Sequence, residues 1–261
     1  MLTVAAYSKD PLAPLDRLLR FAKDVGLSHV QLAWEQIVRT RSTGMGFRNQ
    51  RAADFGPRDP SMSDLAADSR VAGVKVVFKR LRREGLEPVG LDATALDCMD
   101  EETFAKQIED IDVQMQTAER LGVGHVTIAA GPRDPSNFDH VVDGFRRLAV
   151  SVSRLGVGMS IRNLCDSSVE QLDDLHRLFR EVGVESLTLD LDMAEFQTAA
   201  VNPHDAAVSF PGRIARVRTC DVNLEATLAA LRRDGFTGAV LAAVEDGVPW
   251  SHKLIAIVRR S

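Results

Sequence analysis

The heptapeptide GMSIRNL, residues 158–164, is a short apolar run that carries a fixed positive charge at Arg162. A buried guanidinium needs an anionic partner, and its planar fork suits a carboxylate or a phosphate. Charge is threaded through other apolar runs as well. LTLDLD holds Asp190 and Asp192, RVRTCD holds Arg216, Arg218 and Asp221, and AVLAAVED ends with Glu245. Tyr7, the one tyrosine, closes LTVAAY, Gln31 and Trp34 stand in HVQLAW, and Asp92 ends PVGLD. A carboxylate can remove a proton next to a carbonyl, and a neighbouring guanidinium can offset the negative charge that develops. Cys220 has no sequence-local histidine to activate it and reads as a small buried residue. The histidines form no spaced pair on one helix or strand.

The elements that position these residues follow from a repeated junction. AKDVGLSHVQL, RREGLEPVGL, AERLGVGHVTI, SRLGVGMSI, REVGVESLTL and RRDGFTGAVL each run from a charged amphipathic stretch through a glycine into an apolar, β-rich run. Glycine accepts the left-handed conformation at a helix C-terminus, so these are αβ turns. With LTVAAY and GRIARVRTCD there are eight strands. Helical periodicity falls near 13–25, 66–84, 101–121, 137–154, 168–182, 203–210, 223–234 and 250–259. Eight βα units in 261 residues predict one (β/α)8 TIM barrel spanning 1–261, of class α/β. The competing open sheet would carry a glycine-rich phosphate turn after its first strand, and AAYSKDPLAP has none.

One connection departs from this rhythm. Residues 36–65, after the second strand, form a long polar segment containing Arg39, Arg41, Arg48, Arg51 and Arg58. It reads as a long loop: either a lid that recruits an anionic substrate, or a solvated basic loop or oligomer contact. Composition narrows the function classes. A net charge of -5 disfavours nucleic acid. Cys98, Cys165 and Cys220 lack CxxC spacing, so neither a disulfide framework nor a structural zinc is indicated. The N-terminus lacks a signal-peptide pattern, and no apolar run approaches the roughly 18 residues of a membrane span. A cytoplasmic protein without membrane contact is expected.

PLDRLLRFAKDVGLSHVQL, AERLGVGHVTIAAG, LTLDLDMAEF, RVRTCDVN and LRRDGFTGAVLAAVED together resemble the xylose isomerase-like barrel superfamily of sugar isomerases and epimerases. The resemblance implies a divalent metal held by an acid on strand five, an aspartate on strand six, a histidine on strand seven and a glutamate on strand eight. Here those positions hold Arg162, Asp190, Arg218 and Ala243. One ligand of the set remains, so no metal and no other cofactor is expected in that position. An improvised site from Asp92, Asp190, Asp192 and Glu245 is the alternative.

The resemblance also orients the barrel mouth, and strand alternation then turns Asp192, Cys220 and Glu245 inward, with Arg216 one layer lower. In the catalytic reading Arg162 and Arg218 replace the metal, Asp190 or Glu245 is the base, and Tyr7, Gln31, Trp34 and Asp92 bind substrate. The reaction is then a metal-independent isomerisation, epimerisation or elimination on a small, anionic sugar-like or keto/hydroxy-acid molecule. In the structural reading Arg162 and Arg218 merely neutralise Asp190 and Glu245, leaving a non-catalytic binding or scaffold protein. Relatives of this kind pair through helices or long loops, so a homodimer through 36–65 is admitted.

Overall fold

The computed structural model describes residues 2–44, 74, 76–97, 101–134 and 137–260. Eight parallel strands pair in chain order and close on themselves: β1 (Thr3–Tyr7), β2 (His29–Ala33), β3 (Glu87–Asp92), β4 (His125–Ala129), β5 (Gly158–Arg162), β6 (Leu187–Asp192), β7 (Ile214–Arg218) and β8 (Ala239–Ala243). The ladder from Thr3 opposite Ala239 to Tyr7 opposite Ala243 closes the ring. No strand edge is left open, which rules out the doubly wound alternative. Among the described residues no helix is long and apolar enough to cross a membrane.

The helices follow the anticipated turns. In α1 (Leu15–Asp24) the buried Leu15, Leu18, Leu19 and Ala22 recur at helical spacing and face the sheet. The glycines at six αβ turns, Gly26, Gly85, Gly122, Gly156, Gly183 and Gly235, have φ between 67° and 79°. At Gly183 this left-handed residue donates its N–H to the Phe179 carbonyl and ends the helix Leu172–Val182.

The structure corrects two sequence expectations. The segment expected to be a loop from residue 36 begins instead as a helix, α2 (Trp34–Gly44). Its first turns carry Glu35, Gln36 and Arg39, good helix formers, and Ile37 is buried. Residues 45–65 of the anticipated lid lie outside the described residues. After β6 a short helix, α3 (Met193–Thr198), precedes the expected one; Asp192 caps it by accepting from the backbone N–H groups of Ala194 and Glu195.

Two layers of side chains make the core. The large apolar cluster fills the space between the strands and the outer helices. Inside the ring, Ala5, Tyr7, Ala239, Leu241 and Ala243 form a separate small cluster on β1 and β8. The rest of the interior departs from the branched apolar layers usual in such barrels. It is lined by Thr127, Ser160, Asp190, Arg216 and Arg218, all buried.

Gly238 enters β8 with no room for a side chain, since a Cβ would collide with the Ala215 carbonyl oxygen and the Phe236 ring. Gly238→Ala is expected to cost about 2–3 kcal/mol, read from the urea midpoint followed by circular dichroism.

Candidate active site at the C-terminal end of the barrel

Ladder register sets the charged side chains against one another. Arg162 on β5 pairs with Asp190 on β6. The β6–β7 ladder shifts between Leu189 and Asp190, which places Asp190 beside Arg216 and Asp192 beside Arg218. Neighbours in a parallel ladder share a face, so these groups collect at one end of the interior.

Arg218 is the hub. Its Nε donates to Asp190 Oδ1 at 3.2 Å and its Nη2 to Asp190 Oδ2 at 2.7 Å. The same guanidinium reaches across the barrel to Asp92, with Nη1 to Oδ2 at 3.0 Å and Nη2 to Oδ1 at 2.6 Å. One nitrogen therefore bridges two carboxylates. The side chains of Arg218 and Asp190 are both 0% exposed, and the Tyr7 ring covers the guanidinium with 4.9 Å between its centre and Cζ. Thr127 Oγ1 donates to Asp190 Oδ2 at 2.9 Å and accepts from Arg216 Nη1 at 2.8 Å, while Arg216 Nη2 reaches the Val89 carbonyl. Gln31 Nε2 donates to Asp92 Oδ1 at 2.7 Å.

The electrostatics follow from this packing. Burial by itself would raise the Asp190 carboxyl, but the charge and hydrogen bonds of Arg218, with Arg216 and Arg162, hold it below the ordinary carboxylate range. Burial would likewise lower Arg218, yet Asp190 and Asp92 hold its proton more firmly than usual. Further down, burial and Arg216 push the His125 imidazole down to about 3, so it is neutral. The buried Ser160 links that imidazole to Thr188.

Arg162 is arranged differently. Asp192 Oδ2 accepts from its Nε at 3.1 Å and its Nη2 at 2.7 Å, and the Arg162 side chain retains 18% exposure. Asn163 clasps the Asp192 main chain, accepting from its N–H at 2.8 Å and donating to its carbonyl at 2.9 Å.

The structure thus brings together Arg162, Arg218, Asp190, Asp92, Gln31 and Tyr7 from the predicted set. Glu245 does not join them. It lies past β8 in a 3-10 turn, where strand alternation no longer applies; it is exposed. Its carboxylate accepts from Ser8 Oγ at 2.7 Å and the Lys9 backbone N–H at 2.9 Å. The partners of the arginines are Asp190, Asp92 and Asp192, so the expectation that Glu245 neutralises one of them is corrected. Trp34 starts α2 and packs, partly buried, against the outer core.

Sequence reasoning missed Glu35 in the first turn of α2. Burial, reinforced by the Asp92 charge, raises its carboxyl against the opposing pull of its own backbone hydrogen bond and of Arg39. The signal was its place directly after β2, masked by the surrounding polar residues. Thr127, which joins Asp190 to Arg216, was also missed.

A divalent cation does not fit these residues. Guanidinium groups stand at two of the expected ligand positions, and Asp190 has its oxygens committed to Arg218 and Thr127. Among the described residues no three His, Cys, Asp or Glu side chains converge as a metal site. Arg162 pairs with Asp192, and Arg218 with Asp190 and Asp92, whereas Arg216 bonds Thr127 and the Val89 carbonyl.

Residues 19–258 match the family model described as xylose isomerase-like TIM barrel. No curated protein matches the chain. Among solved structures, the IolI protein with a bound zinc atom superposes with a TM-score of 0.70 at 14% identity, covering 99% of each chain. The Escherichia coli 3-keto-D-glucoside 4-epimerase YcjR gives 0.69 at 14% identity, covering 99% of this chain and 100% of its own. A D-psicose 3-epimerase gives 0.68 at 14% identity, with coverage of 92% and 84%. At these identities the likeness is one of fold.

Replacing the hub with a neutral side chain strands the buried Asp190 carboxylate and the partly buried one of Asp92. Arg218→Met is expected to destabilise the protein by about 3–5 kcal/mol at neutral pH, measured by urea unfolding, with Arg218→Met/Asp190→Asn losing less. Because the folded-state pKa of Asp190 is depressed, its stabilisation is complete above its unfolded value near 4 and fades as pH falls through the lower folded value. Asp190→Asn is therefore expected to flatten the acid limb of the stability profile below about pH 4.

Proposed function

Since the chain belongs to the xylose isomerase-like TIM barrel family, we propose that it acts as a sugar isomerase or epimerase without a metal in the family position. The substrate is a small sugar-like molecule bound at the C-terminal mouth, where (β/α)8 enzymes place their chemistry. The fold it shares with a D-psicose 3-epimerase and a 3-keto-D-glucoside 4-epimerase favours this class. The observation that carries the reading is a division of labour among the charged groups: Arg218 and Asp190 are sealed and mutually neutralised, while the Arg162 side chain keeps 18% exposure and Glu35 is only partly buried.

In this reading Glu35 moves the proton. Its raised pKa suits a carboxyl that must accept a proton from carbon and return it. Abstraction next to a carbonyl leaves negative charge on the carbonyl oxygen, and Arg162 offsets it by hydrogen bonding. Return of the proton to the neighbouring carbon isomerises the substrate as the hydroxyl proton passes to the former carbonyl oxygen, and protonation from the opposite face, by solvent, epimerises it. Departure of a hydroxyl would make it an elimination instead. Arg218 and Asp190 act as positioning residues that hold Asp92, Gln31 and Tyr7 in place. Glu245, at the rim, is the alternative base.

A second reading, binding without chemistry, is favoured by the Asp190 clamp, which removes the family aspartate from proton transfer. Solvent deuterium exchange separates the two. Ketoses, aldoses and sugar acids incubated in heavy water are expected to exchange a carbon-bound proton, detected by NMR, at a rate unaffected by chelator. Glu35→Gln is expected to slow exchange by about 100-fold or more, and the wild-type rate to rise with pH through a midpoint above the ordinary carboxylate value near 4.3. Loss of exchange on chelation would overturn metal independence, and binding without exchange would establish the second reading.

A further inference from the structure

Arg162 is gripped along one edge only. Asp192 Oδ2 occupies its Nε and Nη2, and Asp192 cannot swing to follow a moving partner. Its Oδ1 caps α3 through the N–H groups of Ala194 and Glu195 at 3.1 and 3.2 Å, and Asn163 clasps its main chain on both sides. The guanidinium plane is thus fixed by bonds leading back to a helix terminus. Its other edge, Nη1 with the outer N–H of Nη2, has no partner among the described residues, and 18% of the side chain remains open. A rigid planar fork with one free edge presents two parallel donors, the geometry that a carboxylate accepts bidentately.

A second polar side chain lies near the same space. Tyr7 is 1% exposed, its ring lies over the Arg218 guanidinium, and its hydroxyl is not among the enclosed polar atoms left without a partner. The residue ends β1 at the mouth and lies in the field of Asp192, Arg218 and Arg162.

The open edge limits the ligand. Arg218 is taken up by Asp190 and Asp92, and Arg216 bonds Thr127 and the Val89 carbonyl, so of these three arginines Arg162 alone offers an open edge, enough for one carboxylate. Resting on the reading of the mouth as the substrate site, we infer that it takes a monocarboxylate with an oxygen on the adjacent carbon, a 2-hydroxy or 2-keto acid of the sugar-acid type. The carboxylate sits on the free edge of Arg162 and the adjacent oxygen accepts from, or donates to, the Tyr7 hydroxyl.

The test is calorimetric titration of the full chain with matched probes: D-gluconate, D-glycerate and pyruvate against D-glucose, glyceraldehyde and D-glucose 6-phosphate. At least one carboxylate is expected to bind at least tenfold more tightly than its neutral and phosphorylated counterparts. Arg162→Gln and Arg162→Lys are both expected to lose tenfold or more, because lysine lacks the fork, and Tyr7→Phe about fivefold. Tyr7→Phe removes only a hydroxyl, so it reports even if the Arg162 variants misfold, which circular dichroism would show. Equal or tighter binding of glucose or the phosphate ester overturns the inference. So does binding by no carboxylate, or a Tyr7→Phe protein that binds unchanged. Carboxylate binding without exchange leaves this inference standing and removes the isomerase reading; exchange of neutral sugars alone does the reverse.

Discussion

The ion pair between Arg218 and Asp190 constrains everything else at the mouth. Both partners are sealed from solvent, and a buried charge is tolerable only with matched partners and satisfied hydrogen bonds. That requirement recruits Asp92 to the outer nitrogens of the guanidinium, Thr127 to the second oxygen of Asp190 and Gln31 to Asp92. It also explains the glycine in the middle of β3: a Cβ on Gly90 would overlap the Arg216 guanidinium and the Gln31 amide. The interior has exchanged apolar filling for a polar lattice, and backbone choices elsewhere accommodate it.

The lattice divides the charged residues by accessibility. Arg218 and Asp190 hold one another and cannot meet a ligand, whereas Arg162 is braced by a capped helix and open on its far edge. The same residue type serves two purposes according to whether its second edge is used. Asp192 decides this for Arg162, by spending one oxygen on the helix and the other on the guanidinium.

The fold was legible because it rests on local rules. Glycine at a helix end and an apolar run after it mark each αβ turn, and six such marks located most of the barrel. The departures were also local. Over 36–44, within the expected loop 36–65, the polar composition suggests a loop, yet Gln36 and Arg39 favour the helix that forms there. The site was legible at Arg162, Asp190 and Arg218, where strand alternation holds. It was not legible at Glu245, where the chain leaves β8 and turns, nor in the partner choices of the arginines. Those depend on the ladder shift at Leu189 and Asp190, which has no local sequence signature. Glu35 escaped because its raised carboxyl comes from burial against residues distant in sequence.

The reach of Arg218 to Asp92 spans 126 positions of the chain, and that of Arg216 to the Val89 carbonyl spans 127. Neither bond can form until strands from the two halves of the barrel have met. A half-barrel of β5 to β8 that condensed early would already hold the Arg218–Asp190 and Arg162–Asp192 pairs, but the outer nitrogens of Arg218 would lack Asp92, and Asp92 would lack its guanidinium partner. Contacts so far apart in sequence carry a large loop-closure cost and form late. The buried lattice therefore penalises partly closed intermediates and makes assembly of the ring more nearly all-or-none than apolar filling would.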